Sequence, residues 1–234
     1  MTAEARHAAT LLDKVLEAVR RSDYAAALDS ARRIDLALLR PDRWFEMEEA
    51  LEQVYLATSD SAPATGLSAC ETRLALSDLS LAERSDLVWR TSQAKAMHGM
   101  GYCLGSLQRP AEELTAYEAI IDHNKNAQEL PLQERVAKAL LNKGVTLRQL
   151  GRPEEALASC EQMLGRFGTS EAPALQEPVA WALYNKGAIL QNSGRGSEAL
   201  PVYETLLQRF GASADPAICT VVDTALKNKG LIES

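Results

Sequence analysis

The chain has 234 residues, of which 46% are hydrophobic and 24% charged, a balance that excludes a disordered segment and supplies enough apolar surface for a continuous core. Its 25 basic and 32 acidic residues leave a net charge of -7, a field that opposes nucleic acid and anionic membrane as partners. Aromatics make up only 5% while Ala and Leu recur throughout, which favours helix packed on helix over a β-sandwich.

From the N-terminus, MTAEARHAATLLDKVLEAVRR carries Glu4, Arg6, Asp13 and Lys14 and so lacks a signal-peptide core. No later run reaches the roughly 18–20 apolar residues of a membrane span, so a cytoplasmic protein is expected. Residues 8–36 read as a degenerate helical hairpin, with Ser22 to Leu28 as the turn entering its second helix. Trp44–Thr58, a turn over Ser59–Gly66, and Leu67–Leu76 read as another. These hairpins make up a first division, 1–80.

The next division, 81–216, is governed by repetition. Asn142-Lys143-Gly144, Asn185-Lys186-Gly187 and Asn228-Lys229-Gly230 recur at a 43-residue step, and a further step back reaches Gly101. Leu104, Leu147 and Leu190 share the register, as do Leu114, Leu157 and Leu200, and Glu118, Glu161 and Glu204. Within one unit, Val136, Leu140, Gly144, Leu147 and Leu150 follow a helical face, and Ala156, Leu157, Met163 and Leu164 mark a second helix, so each unit is a helical hairpin. The turns inside the hairpins are Leu107–Pro110, Leu150–Pro153 and Ser193–Gly196, where Gly ends one helix and Pro opens the next. Phe167-Gly168 and Phe210-Gly211 close the second helices, and Pro173 and Pro216 open the following units.

Gly at 101, 144, 187 and 230, Ala156 and Ala199 twelve residues on from a Gly, and Tyr117 or Tyr203 four further on resemble the tetratricopeptide signature over about residues 93–231. The sequence departs from that family in its longer period, in Lys143 and Lys186 before the Gly, and in Glu113. The added length falls on the first helix of each pair and its preceding loop, near Thr169–Gln176. The resemblance implies an all-α, right-handed superhelical solenoid of antiparallel helical hairpins. Residues 217–234 read as a C-terminal helix that leaves Ile218, Val221, Val222, Leu226 and Ile232 with one neighbour, so that it either caps the array or pairs with a second copy into a homodimer.

Comparison of the units separates packing from a working surface. Ala96, Ala139, Ala182 and Ala225 are identical, and Met97, Leu140, Leu183 and Leu226 are equivalent, as core positions would be. The variable sets are Lys95, Lys138, Trp181 and Thr224; His98, Leu141, Tyr184 and Lys227; Tyr102, Val145, Ala188 and Leu231; and Gly105, Arg148 and Gln191. They lie on one face of the first helix, the helix that the resemblance places along a concave groove. Lys95, His98, Tyr102, Lys138, Leu141, Asn142, Val145, Arg148, Trp181, Tyr184, Asn185, Gln191 and Lys227 are therefore the expected partner-binding stripe, with its aromatics as anchors. Its cations point to an acidic or C-terminal segment of another protein. Asn142, Asn185 and Asn228 read as a structural ladder between units rather than a carboxylate clamp.

Gly99-Met100-Gly101 lies inside a helix and is explained by packing rather than by a nucleotide loop. His7, His98 and His123 are isolated, and Cys70, Cys103, Cys160 and Cys219 are widely spaced, so neither metal nor cofactor is expected and the thiols read as core residues. The Glu pairs at 48–49, 112–113 and 154–155 read as solvated carboxylates at helix starts. No catalytic set emerges. The expected function is an adaptor, chaperone or scaffold that binds a peptide or helix; the alternative is an inhibitor or immunity-type protein covering a partner enzyme.

Overall fold

The computed structural model describes residues 2–39, 43–83 and 87–233, with 78–83 described by backbone. The described residues form α1 (Ala3–Arg20), α2 (Tyr24–Arg32), a 3-10 turn (Leu36–Leu38), α3 (Trp44–Thr58), α4 (Pro63–Glu83), α5 (Leu87–Ser106), α6 (Pro110–His123), α7 (Leu130–Gln149), α8 (Pro153–Phe167), α9 (Pro173–Asn192), α10 (Gly196–Phe210) and α11 (Pro216–Glu233). No strand occurs among them. Two compact units result, one running up to His123 and including Ala127–Arg135, the other made of Asn124–Asn126 and the chain from Val136 onward. Of the expected terminal helix 217–234, Ser234 lies outside the described residues.

The helices keep the step of the sequence. Helices α3, α5, α7, α9 and α11 begin at 44, 87, 130, 173 and 216, and α6, α8 and α10 at 110, 153 and 196. Helix α2, at 24, starts two steps before α6. Helix α4 alone starts early: the expected Ser59–Gly66 turn ends at Ala62, because Pro63 has its φ preset for a first helical turn and lacks the N–H that position would leave unbonded.

One turn recurs inside the hairpins. Ser22, Gln108, Gly151 and Gly194 have φ of 59°, 58°, 70° and 74°. After each, a backbone N–H bonds a carbonyl five residues back: Asp23 to Ala18, Arg109 to Leu104, Arg152 to Leu147 and Arg195 to Leu190, all at 2.9 Å. In the last three, the Arg also grips the first turn of the next helix through both nitrogens, Arg109 on Glu112, Arg152 on Glu155 and Arg195 on Glu198. Asp23 serves the same place in the first hairpin by accepting from the Ala26 N–H at 3.1 Å.

In the first unit, Leu11, Leu12, Val15, Leu28, Trp44, Met47, Leu51, Val54, Leu76 and Trp89 form the core. In the second unit Ala139, Ala182 and Ala225 are wholly buried, and Leu140 and Leu183 nearly so. Leu226 corrects the expected core set: it is 50% exposed, although α11 packs on both α9 and α10. Leu150 likewise leaves the expected helical face, lying exposed in the turn beyond α7.

Successive hairpins are joined by polar side chains as well as by the core. Arg166, stacked 5.0 Å over the Phe167 ring, donates to the Asn124 carbonyl at 2.9 Å. One step on, Arg209 stacks 4.9 Å over Phe210 and donates to the carbonyls of Gly168 and Ser170. The lysines that precede the repeat glycines belong to the same frame. Lys186 reaches Glu161 at 3.0 Å and Lys229 reaches Glu204 at 3.3 Å, which accounts for a charge where the tetratricopeptide pattern has Leu.

Candidate partner-binding surface

Three stripe residues lie on α5 in the first unit. Lys95 is half-buried, with its Nζ 3.7 Å from Glu52 Oε1. His98 packs 5.7 Å from the Tyr117 ring, and the exposed Tyr102 hydroxyl donates to Asp60 at 2.5 Å, which raises its pKa above the ordinary phenol value.

The remaining ten belong to the second unit. On α7, Lys138, Leu141, Asn142 and Val145 are half-buried and Arg148 is exposed. On α9, Trp181 meets Tyr184 edge-on at 5.7 Å, and Tyr184 in turn lies 6.5 Å from Tyr203 of α10. His98 over Tyr117 is the equivalent pair two repeats earlier, so this stripe position also packs the hairpin. Asn185 is half-buried, and Lys227 on α11 is exposed. Neither Arg148 nor Lys227 has a hydrogen-bond or ion-pair partner among the described residues.

Gln191 is held by hydrogen bonds within the repeat frame. Its Oε1 accepts from the Tyr203 hydroxyl at 3.1 Å, its Nε2 donates to the Asn228 carbonyl at 3.3 Å, and Asn228 Nδ2 donates to Tyr203 at 3.2 Å. Asn228 thus bonds the preceding hairpin as the expected ladder requires, whereas Asn185, which the ladder also included, makes no such bond among the described residues.

A second polar assembly in the first unit was not foreseen. Arg73 is 1% exposed, and Glu48 Oε1 accepts from its Nε at 3.1 Å and Nη2 at 2.6 Å, and from the Ser92 hydroxyl at 2.5 Å. Glu48 is therefore no solvated helix-start carboxylate. Glu52 lies 3.6 Å from the same guanidinium. Nothing in the spacing of Arg73 distinguishes it from a surface arginine; the pairing comes from α4 crossing α3 and α5.

Three thiols are buried and one, Cys219, is half-buried. Burial pushes Cys70 and Cys160 up to about 12 and Cys103 up to about 11, so none of these three is a nucleophile at neutral pH. No group of His, Cys, Asp and Glu suited to a metal ion occurs among the described residues, and no described helix is long and apolar enough to cross a membrane.

A family model for the tetratricopeptide repeat matches residues 137–166, which run from α7 through α8. The fold aligns with the apo form of RapI at a TM-score of 0.68 and 12% identity, over 97% of this chain and 59% of RapI. The chain is a tetratricopeptide-like repeat protein. It spans about three fifths of the RapI chain. A kinesin light chain-like protein from Podosopora anserina with nearly identical TPR-like repeats aligns at a TM-score of 0.53 and 14% identity, over 92% of this chain and 100% of that one. A mutant of MamA aligns at 0.50 and 18%, over 91% and 97%. These identities carry the fold alone. No curated protein sequence matches.

Proposed function

We propose that this tetratricopeptide-like chain is a cytoplasmic adaptor or scaffold, and that the first-helix stripe of its second unit holds an acidic segment of another protein. The carrying observation is a contrast in how cations are used. Arg152, Arg195, Lys186 and Lys229 are each paired with a carboxylate of the repeat frame, whereas Arg148 and Lys227, on the stripe, have no such partner among the described residues. Two unpaired cations on α7 and α11, with the half-buried Trp181 and Tyr184 on α9, combine charge with rigid apolar area, as surfaces that bind a segment do.

The test is capture of partners from a lysate of the source on wild type, on Trp181→Ala, and on Arg148→Glu/Lys227→Glu, followed by titration of the captured protein's segment at two salt concentrations. All three substituted residues lie outside the buried core, so both variants are expected to keep the helical circular dichroism of wild type. Loss of the partner from both, with binding that weakens as salt rises, supports the stripe. A partner retained by both variants removes it.

A further inference from the structure

Phe45, Val88 and Pro131 occupy one repeat position at the starts of α3, α5 and α7 and line an open cavity of about 340 Å³ in the first unit. Phe45 is 43% and Val88 56% exposed, an apolar rim left uncovered by the described residues. The polar groups of the cavity include Glu48 and Lys95. All three hydrogen bonds to Glu48 fall on Oε1, so Oε2 has no partner among the described residues. Lys95 is drawn toward Glu52, and Arg73 is held behind Glu48 at 1% exposure. Over its whole length α3 carries Glu46, Glu48, Glu49 and Glu52 and no basic residue.

We propose that this cavity takes a lysine or arginine side chain of a partner protein, its aliphatic stem on Phe45, Leu87, Val88 and Pro131 and its charged head at Glu48 Oε2. A purely apolar occupant would strip Oε2 of water and return no donor. An anion would meet the Glu48 carboxylate, while the lysine that lines the cavity, Lys95, is drawn toward Glu52 and the Arg73 guanidinium is buried behind Glu48. A cation finds a free acceptor, and the exposed Phe45 ring adds cation–π attraction. The chain's net charge of -7 favours the approach of such a group. The site lies in the first unit and shares only Lys95 with the expected stripe; it does not rest on the segment binding proposed for the second unit.

The experiment is a nitrogen-15 NMR titration of the whole chain with N-acetyl-arginine methylamide, against the norleucine and glutamate analogues. The arginine probe is expected to shift the Trp89 indole and the Val88 amide saturably, at the millimolar strength of one side chain, and at least fivefold more tightly than norleucine. The glutamate probe should leave both unmoved. Val88→Trp, which fills an exposed position of the rim, should abolish the effect, and Glu48→Gln should erase the preference for arginine over norleucine. If Glu48→Gln does not fold, Val88→Trp decides. Equal binding of arginine and norleucine, binding of glutamate, or shifts that persist in Val88→Trp would overturn the assignment, as would the absence of any saturable shift.

Discussion

Tyr203 lies across Gly187 so closely that a Cβ on Gly187 would stand 2.6 Å from the ring's Cε1. Tyr117 covers Gly101 in the same way, at 2.5 Å, but the middle repeat has Cys160 where the others have tyrosine, and there a Cβ on Gly144 meets nothing closer than 3.7 Å. The shared glycine is a close-packing requirement at two positions and a spare one at the third. Gly187→Ala and Gly101→Ala are expected to cost about 1–3 kcal/mol through overpacking. Gly144→Ala should be neutral or stabilise by up to about 1 kcal/mol, since Ala is the better helix former. Urea unfolding of the three variants checks the order, and Tyr203→Cys should relieve much of the loss in Gly187→Ala.

Arg73 and Glu48 form a pair in which each partner's burial is tolerable because of the other. Arg73→Met leaves Glu48, whose side chain is 14% exposed, beside an apolar side chain, and a loss of about 3–5 kcal/mol is expected. Glu48→Met should cost a similar amount by stranding the guanidinium. The double variant Arg73→Met/Glu48→Met should recover most of either loss, because no buried charge remains. A double-mutant cycle by chemical denaturation gives the coupling; additive losses would mean that Glu52 alone sustains Arg73.

The buried thiols set an alkaline limit. Cys70 and Cys160 are raised from 9.0 to about 12, so the folded state holds them neutral while the unfolded chain ionises them first. Their contribution is fully present below about pH 9 and is lost as pH rises toward 12, each thiol steepening the loss by about 1.4 kcal/mol per pH unit. Cys160→Ala should flatten the fall of stability between pH 9 and 10.5 by about one such slope. In the native protein at neutral pH, a thiol reagent should label Cys219 first.

The hairpins from α5 onward were legible because several copies in one chain act as their own comparison: a position alike in each, such as Ala96, Ala139 and Ala182, could be assigned to packing, and all three are buried. The cavity residues Phe45, Val88 and Pro131 carry the same 43-residue step, and that spacing could have grouped them. Leu226 was misread because composition says that a residue is apolar but not whether a neighbouring helix lies on its side. The Arg73–Glu48 pair had no local signature, since an arginine on a helix looks the same in sequence whether it meets water or a carboxylate on a crossing helix.

The recurrent left-handed turn supplies a last expectation, and one that separates backbone strain from side-chain contact. Gly151 and Gly194 take φ of 70° and 74° without steric cost, but Ser22 and Gln108 hold φ of 59° and 58° with a Cβ in place. Gln108 offsets this in part by a weak bond from its Nε2 to the Gly105 carbonyl at 3.5 Å. Gln108→Gly and Ser22→Gly are each expected to stabilise by about 1 kcal/mol, the relief of the left-handed strain exceeding the greater entropy of glycine in the unfolded chain. Gly151→Gln should lose about as much, because the space around Gly151 is open and only the dihedral opposes a side chain there. Thermal melts of the three variants decide the matter: a Gln108→Gly protein less stable than wild type would mean that the side-chain bond outweighs the strain, and that this turn is held by its glutamine.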